Sequence, residues 1–138
     1  MRRGETVFID TGAWIALALS RDPLHGQAKA QWRLLHEAGA KLCTSVPVVI
    51  ETFTFLDRNT NKSVALTWKD ILYKPGTATI LHCELRDLEQ SWDYFRRRDL
   101  HKLSAVDATS FAIMKRTRIR VAFTFDHHFA AVGFRLPG

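Results

Sequence analysis

Apolar residues in this chain recur in two rhythms. Short unbroken runs rich in β-branched and aromatic residues appear at Val7-Phe8-Ile9, at Lys41-Leu42-Cys43-Thr44, at Thr77 to His82 and at Val121-Ala122-Phe123-Thr124-Phe125. Runs of this length and content read as strands, and those without polar alternation read as strands buried on both faces. A further short strand is expected at Val132 to Leu136. Between the runs the rhythm changes to that of helices. Ala13 to Leu19 forms a short apolar helix stopped near Asp22-Pro23. Leu24 to Glu37 places Ala28, Trp32 and Leu35 on one face and ends at Gly39. Ser63 to Tyr73 turns Val64, Trp68, Ile71 and Leu72 inward, and Leu85 to Arg98 carries an apolar stripe of Leu88, Trp92 and Phe95. Leu103 to Met114 is apolar or small on every side, as expected of a helix buried against a sheet.

One segment supports two readings. In Ser45-Val46-Pro47-Val48-Val49-Ile50-Glu51-Thr52-Phe53-Thr54-Phe55-Leu56 the side chains favour a strand. Pro47 does not, because it lacks the N–H that a central strand needs and suits the first turn of a helix. The run is also long for a strand. With Thr44 or Ser45 as cap, it is expected to be a helix. Strands alternating with helices give an α/β fold with a mostly parallel sheet of four to five strands.

Composition narrows the class. The chain has 138 residues, 46% hydrophobic and 25% charged, which suits one globular domain over residues 1–138. No apolar run approaches membrane-spanning length, and the charged start Met1-Arg2-Arg3-Gly4-Glu5 leads directly into the first strand. A cytoplasmic protein without membrane contact is the expectation. Cys43 and Cys83 are isolated in strand-like runs and read as buried thiols.

Charge adds a partner. The formal net charge is +6, and residues 94–138, with nine Lys or Arg against three acids, account for all of it. Arg96, Arg97, Arg98, Arg116 and Arg118 are the candidate contacts to a polyanion such as RNA. Cations that merely complete helix C-termini are the competing reading.

Four carboxylates lie in apolar surroundings: Asp10, Glu51, Asp107 and Asp126. Asp10 and Asp126 each follow a strand, and ligands of open α/β sheets bind outside the carboxyl ends of strands. Any one of these acids alone is explained as a helix cap or a hydrogen-bonded side chain. A buried carboxylate costs several kcal/mol unless paired or metal-bound, and basic partners are scarce near three of the four. If the four converge, an oxygen-only set suits Mg²⁺ or Mn²⁺, which activates water and offsets charge on a phosphodiester.

At these residues the chain resembles the PIN-domain family. The resemblance rests on Phe8-Ile9-Asp10-Thr11-Gly12, on Glu51 within Pro47-Val48-Val49-Ile50-Glu51, on Leu103-Ser104-Ala105-Val106-Asp107-Ala108 and on Thr124-Phe125-Asp126-His127-His128-Phe129. It runs from about Val7 to Leu136, and the small size is most similar to VapC-type toxins of type II toxin–antitoxin pairs. The resemblance implies a three-layer α/β/α sandwich and a Mg²⁺- or Mn²⁺-dependent endoribonuclease. It further implies a homodimer and a cognate antitoxin. Carried over by position, Asp10, Glu51 and Asp107 are the core metal ligands, Asp126 is the fourth acid, and Thr11 and Thr124 are supporting hydroxyls.

Two other readings compete. A non-catalytic RNA-binding or assembly PIN module is disfavoured because all four acids are present. Asp126-His127-His128 also resembles the DHH phosphoesterases, but their other Asp/His motifs are missing. Here His127 and His128 are expected on the surface near the site, with Phe129 anchored in the core. Trp14, Trp32, Trp68 and Trp92 are expected as core or dimer contacts, with a partner groove at Trp14 as the sharper alternative.

Overall fold

The computed structural model describes residues 2–137. Its sheet has four parallel strands: β1 (Thr6–Ile9), β2 (Lys41–Ser45), β3 (Thr79–Leu81) and β4 (Val121–Phe123). Their spatial order is β3-β2-β1-β4. The central place of β1 follows from its content, since Val7, Phe8 and Ile9 are fully buried and need cover on both faces. Seven helices complete a three-layer α/β/α sandwich: α1 (Thr11–Ala18), α2 (His25–Glu37), α3 (Val46–Asn59), α4 (Lys62–Leu72), α5 (Leu85–Phe95), α6 (Ala105–Thr117) and α7 (His128–Ala131).

The chain builds outward from β1 to β2 and β3, then crosses back to lay β4 on the other side of β1. The order therefore reverses between β1 and β4. At such a switch point the connections leave in opposite directions and open a crevice beyond the carboxyl ends of the two strands. Asp10 follows β1 there, and Asp126 lies just past β4. The strands stay paired to the edge of the crevice, where the Asp10 N–H donates to the Phe123 carbonyl at 3.1 Å.

The ambiguous segment is the helix α3. Ser45 caps it by accepting from the Val48 N–H, and Pro47 lies in its first turn. Asn61 caps α4 in the same way through the Val64 N–H at 3.0 Å. Gly39, after α2, has φ +66°, a left-handed turn that favours glycine.

Four expectations are corrected. Val132 to Leu136 forms no strand: only Arg135 bridges to Val121, and a short helix, α7, precedes it. The stripe of Leu88, Trp92 and Phe95 faces outward on α5, and Asp87, Ser91 and Tyr94 are the buried positions. On α4, Ala65 is buried with Trp68 and Leu72, while Ile71 is exposed. Cys43 is buried as expected, but Cys83 is only half-buried. The inverted face of α5 has a visible cause. The α6 residue Arg116 reaches Asp87 through Nε at 2.8 Å and Nη2 at 3.0 Å, and Nη2 also donates to the His82 carbonyl. The ion pair draws the polar side of α5 onto α6.

Candidate metal centre

Asp10 stands at the N-cap position of α1, yet its side chain makes no capping hydrogen bond. Oδ2 instead accepts from Thr124 Oγ1 at 2.9 Å, and Oδ1 is buried without a hydrogen-bond partner. The residue is 3% exposed. The helix-cap reading of Asp10 therefore fails on geometry. Thr124 joins two of the acids, because its oxygen donates to Asp10 and accepts from the Asp126 N–H, also at 2.9 Å. Thr11 Oγ1 is a second buried oxygen without a partner.

Asp107 arrives on α6. Ser104 caps that helix by accepting from the Asp107 N–H at 3.0 Å, which fixes the first turn and aims Asp107 into the crevice. Its carboxyl lies beside that of Asp126, close enough to share a proton with it. Glu51, half-buried on α3, stands further out; its charge is felt at Asp10 without a direct bond.

Burial and mutual repulsion set the charge of this cluster. Burial raises the Asp10 carboxyl, and the nearby charges of Asp126 and Glu51 add to the rise, against the backbone N–H of Thr11 and the hydroxyl of Thr124; the result is about 7. Burial also raises Asp107, followed by the charge of Asp10 and the hydrogen bond to Asp126. Asp126 is affected by burial too, but hydrogen bonds from Asp107 and the His128 N–H, with the charge of His128, outweigh it and hold this carboxyl below the usual range.

The donor set fits a hard divalent cation. An unpaired buried carboxylate oxygen is costly, and Asp10 Oδ1 has that cost uncompensated by protein. Asp10, Asp107 and Asp126 surround one crevice with Glu51 at its rim, and all offer oxygen. Among the described residues, the trio with ligand atoms all within 4.8 Å of one another is Asp126, His127 and His128. The four acids as a set are more widely spaced.

The sequence missed one member of this centre. His128 is 5% exposed, not a surface residue. Nε2 donates to the His101 carbonyl at 2.7 Å, whereas Nδ1, 2.7 Å from Asp126 Oδ1, makes no hydrogen bond. The available signal was its place beside Phe129, which is fully buried and T-stacked on Phe111. His127 is exposed, as expected.

The five arginines do not form one patch. Arg96 pairs with Asp93, Arg97 with Asp99, and Arg98 is exposed beside them in the loop between α5 and α6. Arg116 is engaged by Asp87 and Glu84. Arg118 lies at the opposite end of β4 from the acids, lining a cavity of about 460 Å³ with Lys115, Arg120 and Arg135.

The PIN-domain family model matches residues 7–135, from β1 past α7. The chain belongs to the PIN-domain family. Within that family it is 36% identical over 129 residues to the 23S rRNA-specific endonuclease VapC20 of Mycobacterium tuberculosis, covering 93% of this chain and 95% of the relative. The crystal structure of M. tuberculosis VapC20, described as a Sarcin-Ricin loop cleaving toxin, superposes with a TM-score of 0.82 at 34% identity over 93% of this chain and 95% of that one. The fold also matches DNA-bound VapBC from Salmonella typhimurium, with a TM-score of 0.68 at 13% identity, covering 96% and 97% of the two chains. VapBC2 from Rickettsia felis bound to a promoter fragment matches at 0.71 and 10%, with the same coverage. The PIN assignment removes the DHH reading of Asp126-His127-His128.

Proposed function

We propose that this PIN domain is a divalent-metal-dependent endoribonuclease, the toxin of a type II toxin–antitoxin pair, acting as a single nuclease domain in the cytoplasm. The observation that carries the reading is Asp10 Oδ1, buried and unpartnered in a crevice shared with Asp107 and Asp126. Asp10, Asp107 and Asp126, with Glu51 and through Thr11 and Thr124, would hold Mg²⁺ or Mn²⁺. Such an ion supplies activation of water and charge compensation at the phosphodiester. The chain's own residues do the rest. Thr124 ties the Asp10 carboxylate to the Asp126 backbone N–H. Ser104, capping α6 through the Asp107 N–H, sets the first turn that presents the Asp107 carboxyl. Arg96, Arg97 and Arg98, on a loop that leads into α6, hold the RNA backbone; Arg116 is set apart by its ion pair, and Arg118 by its distance along β4.

The likeness to VapC20 makes ribosomal RNA the first substrate to try. The likeness to VapBC complexes supports an antitoxin partner. A homodimer is supported by an apolar face with no cover in the monomer: Leu85, Leu88, Trp92 and Phe95 on α5, continuing to Val46 and Ile50 on α3. Two apolar cavities of about 650 and 480 Å³ join along this face, sharing Pro47 and Val106.

The test is cleavage of 23S ribosomal RNA by purified protein in Mg²⁺ or Mn²⁺, with and without chelator. Cutting that chelation stops, and that Asp10→Asn and Asp107→Asn abolish while remaining folded, is expected. Undiminished cutting by both variants refutes the assignment.

A further inference from the structure

The basic cavity at the amino end of β4 belongs to no part of the acid crevice. Lys115, Arg118, Arg120 and Arg135 stand around a floor that includes Ile119 and Phe134. Two of the four cations are engaged. Arg135 Nη2 pairs with Glu5 Oε2 at 3.0 Å, and Lys115 Nζ stands over the Tyr94 ring, 5.7 Å from its centroid. Among the described residues, Arg118 and Arg120 pair with no carboxylate. Cations favour helix C-termini, which accounts for Lys115 and Arg118 at the end of α6. It does not account for Arg120 and Arg135, which lie beyond the helix. Backbone bonds hold those two side by side: the Arg135 N–H donates to the Arg120 carbonyl at 2.8 Å, and the Arg135 carbonyl accepts from the Ala122 N–H at 2.9 Å.

Arg118 adds a second observation. It has φ +61°, in the left-handed region, and this turn lets the Ile119 N–H reach the Met114 carbonyl at 2.9 Å. Glycine is the usual residue at such a helix end, because a side chain there strains the backbone. The fold itself has no use for an arginine at this place. A cavity of about 460 Å³ with an apolar floor and a cationic rim suits a nucleotide, which joins an apolar base to an anionic phosphate.

We propose that this cavity is a second RNA-binding site, in which Arg118 and Arg120, with Arg135 beside them, take a backbone phosphate away from the bond that is cut. Arg120 precedes Asp126 by six residues, so the cavity lies at most about 20 Å along the chain from the acids. Its place relative to a scissile bond rests on the ribonuclease reading above; the phosphate site does not. A long RNA engages both sites, and an oligonucleotide of a few residues around the cut engages only the crevice.

The test uses the purified full chain, a 23S ribosomal RNA fragment and a short oligonucleotide with the same cleavage sequence. Binding is measured in chelator over a series of salt concentrations, cleavage in Mn²⁺. Arg120→Ala should raise KM severalfold on the fragment and leave it unchanged on the oligonucleotide, and should flatten the salt slope of fragment binding by about 0.7 for the phosphate lost. Arg118→Gly should do the same while melting at or above the parent temperature, because glycine relieves the left-handed turn. Parental slope and KM in both variants, or equal losses on the long and short RNAs, overturn the proposal. Parental RNA binding together with lost binding of polyglutamate assigns the cavity to an acidic protein segment and overturns it too. A parent that cuts neither RNA refutes the ribonuclease reading, whereas the slopes measured in chelator still decide the phosphate site.

Discussion

Neutralising Asp10 should make the metal-free protein more stable, and only at neutral to alkaline pH. Burial, with the charges of Asp126 and Glu51, lifts the Asp10 carboxyl from 3.8 to about 7. An acid raised in the fold binds its proton more tightly there than in the unfolded chain. Below about pH 4 both states hold the proton and nothing is lost; the penalty grows as pH rises toward the folded value and is complete above it. Three units at 1.36 kcal/mol each give about 4 kcal/mol, an upper figure because Asp107 shares the repulsion. In Asp10→Asn the amide oxygen keeps the Thr124 hydrogen bond, and the new NH₂ takes the place of the unpartnered Oδ1. At roughly 3–4 °C per kcal/mol for a chain of this size, the variant should melt about 10 °C higher than the parent at pH 8 in chelator, and near the parent at pH 4. The assay is circular dichroism melting from pH 4 to 8 at fixed ionic strength. In Mn²⁺ the order should narrow or reverse, because a ligand bound only by the folded parent stabilises it by mass action. Melting curves that keep a constant offset across pH, or a variant less stable at pH 8, would refute the electrostatic reasoning.

Further outcomes follow from other parts of the structure. Arg116→Ala removes the partner of a buried carboxylate and should cost about 3 kcal/mol in urea unfolding while leaving RNA affinity near the parent's; a weakened affinity with intact stability would make Arg116 an RNA contact instead. Burial raises the Asp87 carboxyl, but the hydrogen bonds from Arg116 and Glu84 and the charges of Arg116 and Arg86 hold it below its ordinary value, so this contribution is present at neutral pH and lost as pH falls through the lowered value. Replacing Arg96, Arg97 and Arg98 with alanine in pairs should flatten the salt dependence of RNA binding by about 0.7 in slope for each phosphate no longer neutralised; an unchanged slope removes that loop from the interface. Trp92→Glu places a charge on the uncovered α5 face and should shift sedimentation toward monomer, whereas an unaltered dimer puts the interface elsewhere.

The acids and the strands beside them were legible because each reports local chemistry. A run such as Val7-Phe8-Ile9 has few alternatives to a central strand, and a carboxylate directly after it must stand at the strand's carboxyl end. Pro47 decided α3 for the same reason, by excluding a hydrogen-bonded strand. What the sequence hid was pairing at a distance. The apolar stripe of α5 looked like its core face, yet the buried Arg116–Asp87 pair, joining residues on two helices, turns that stripe outward. His128 was hidden likewise: it lies against an acid two residues away and donates to a carbonyl 27 residues away, and neither relation has a sequence periodicity. The expected last strand failed because α7 and the turn at Gly133, φ +101°, consume the chain that would have paired, leaving Arg135 alone at the sheet edge.

Crystals grown or soaked in Mn²⁺ and measured at a wavelength where manganese scatters anomalously give the most direct test of the metal centre. An anomalous peak should lie in the crevice between β1 and β4, about 2 Å from Asp10 Oδ1 and from an oxygen of Asp107. It should be absent from Asp10→Asn crystals treated identically. A crevice free of anomalous density at saturating Mn²⁺, or a peak held by His127 and surface carboxylates away from Asp10, would contradict the account.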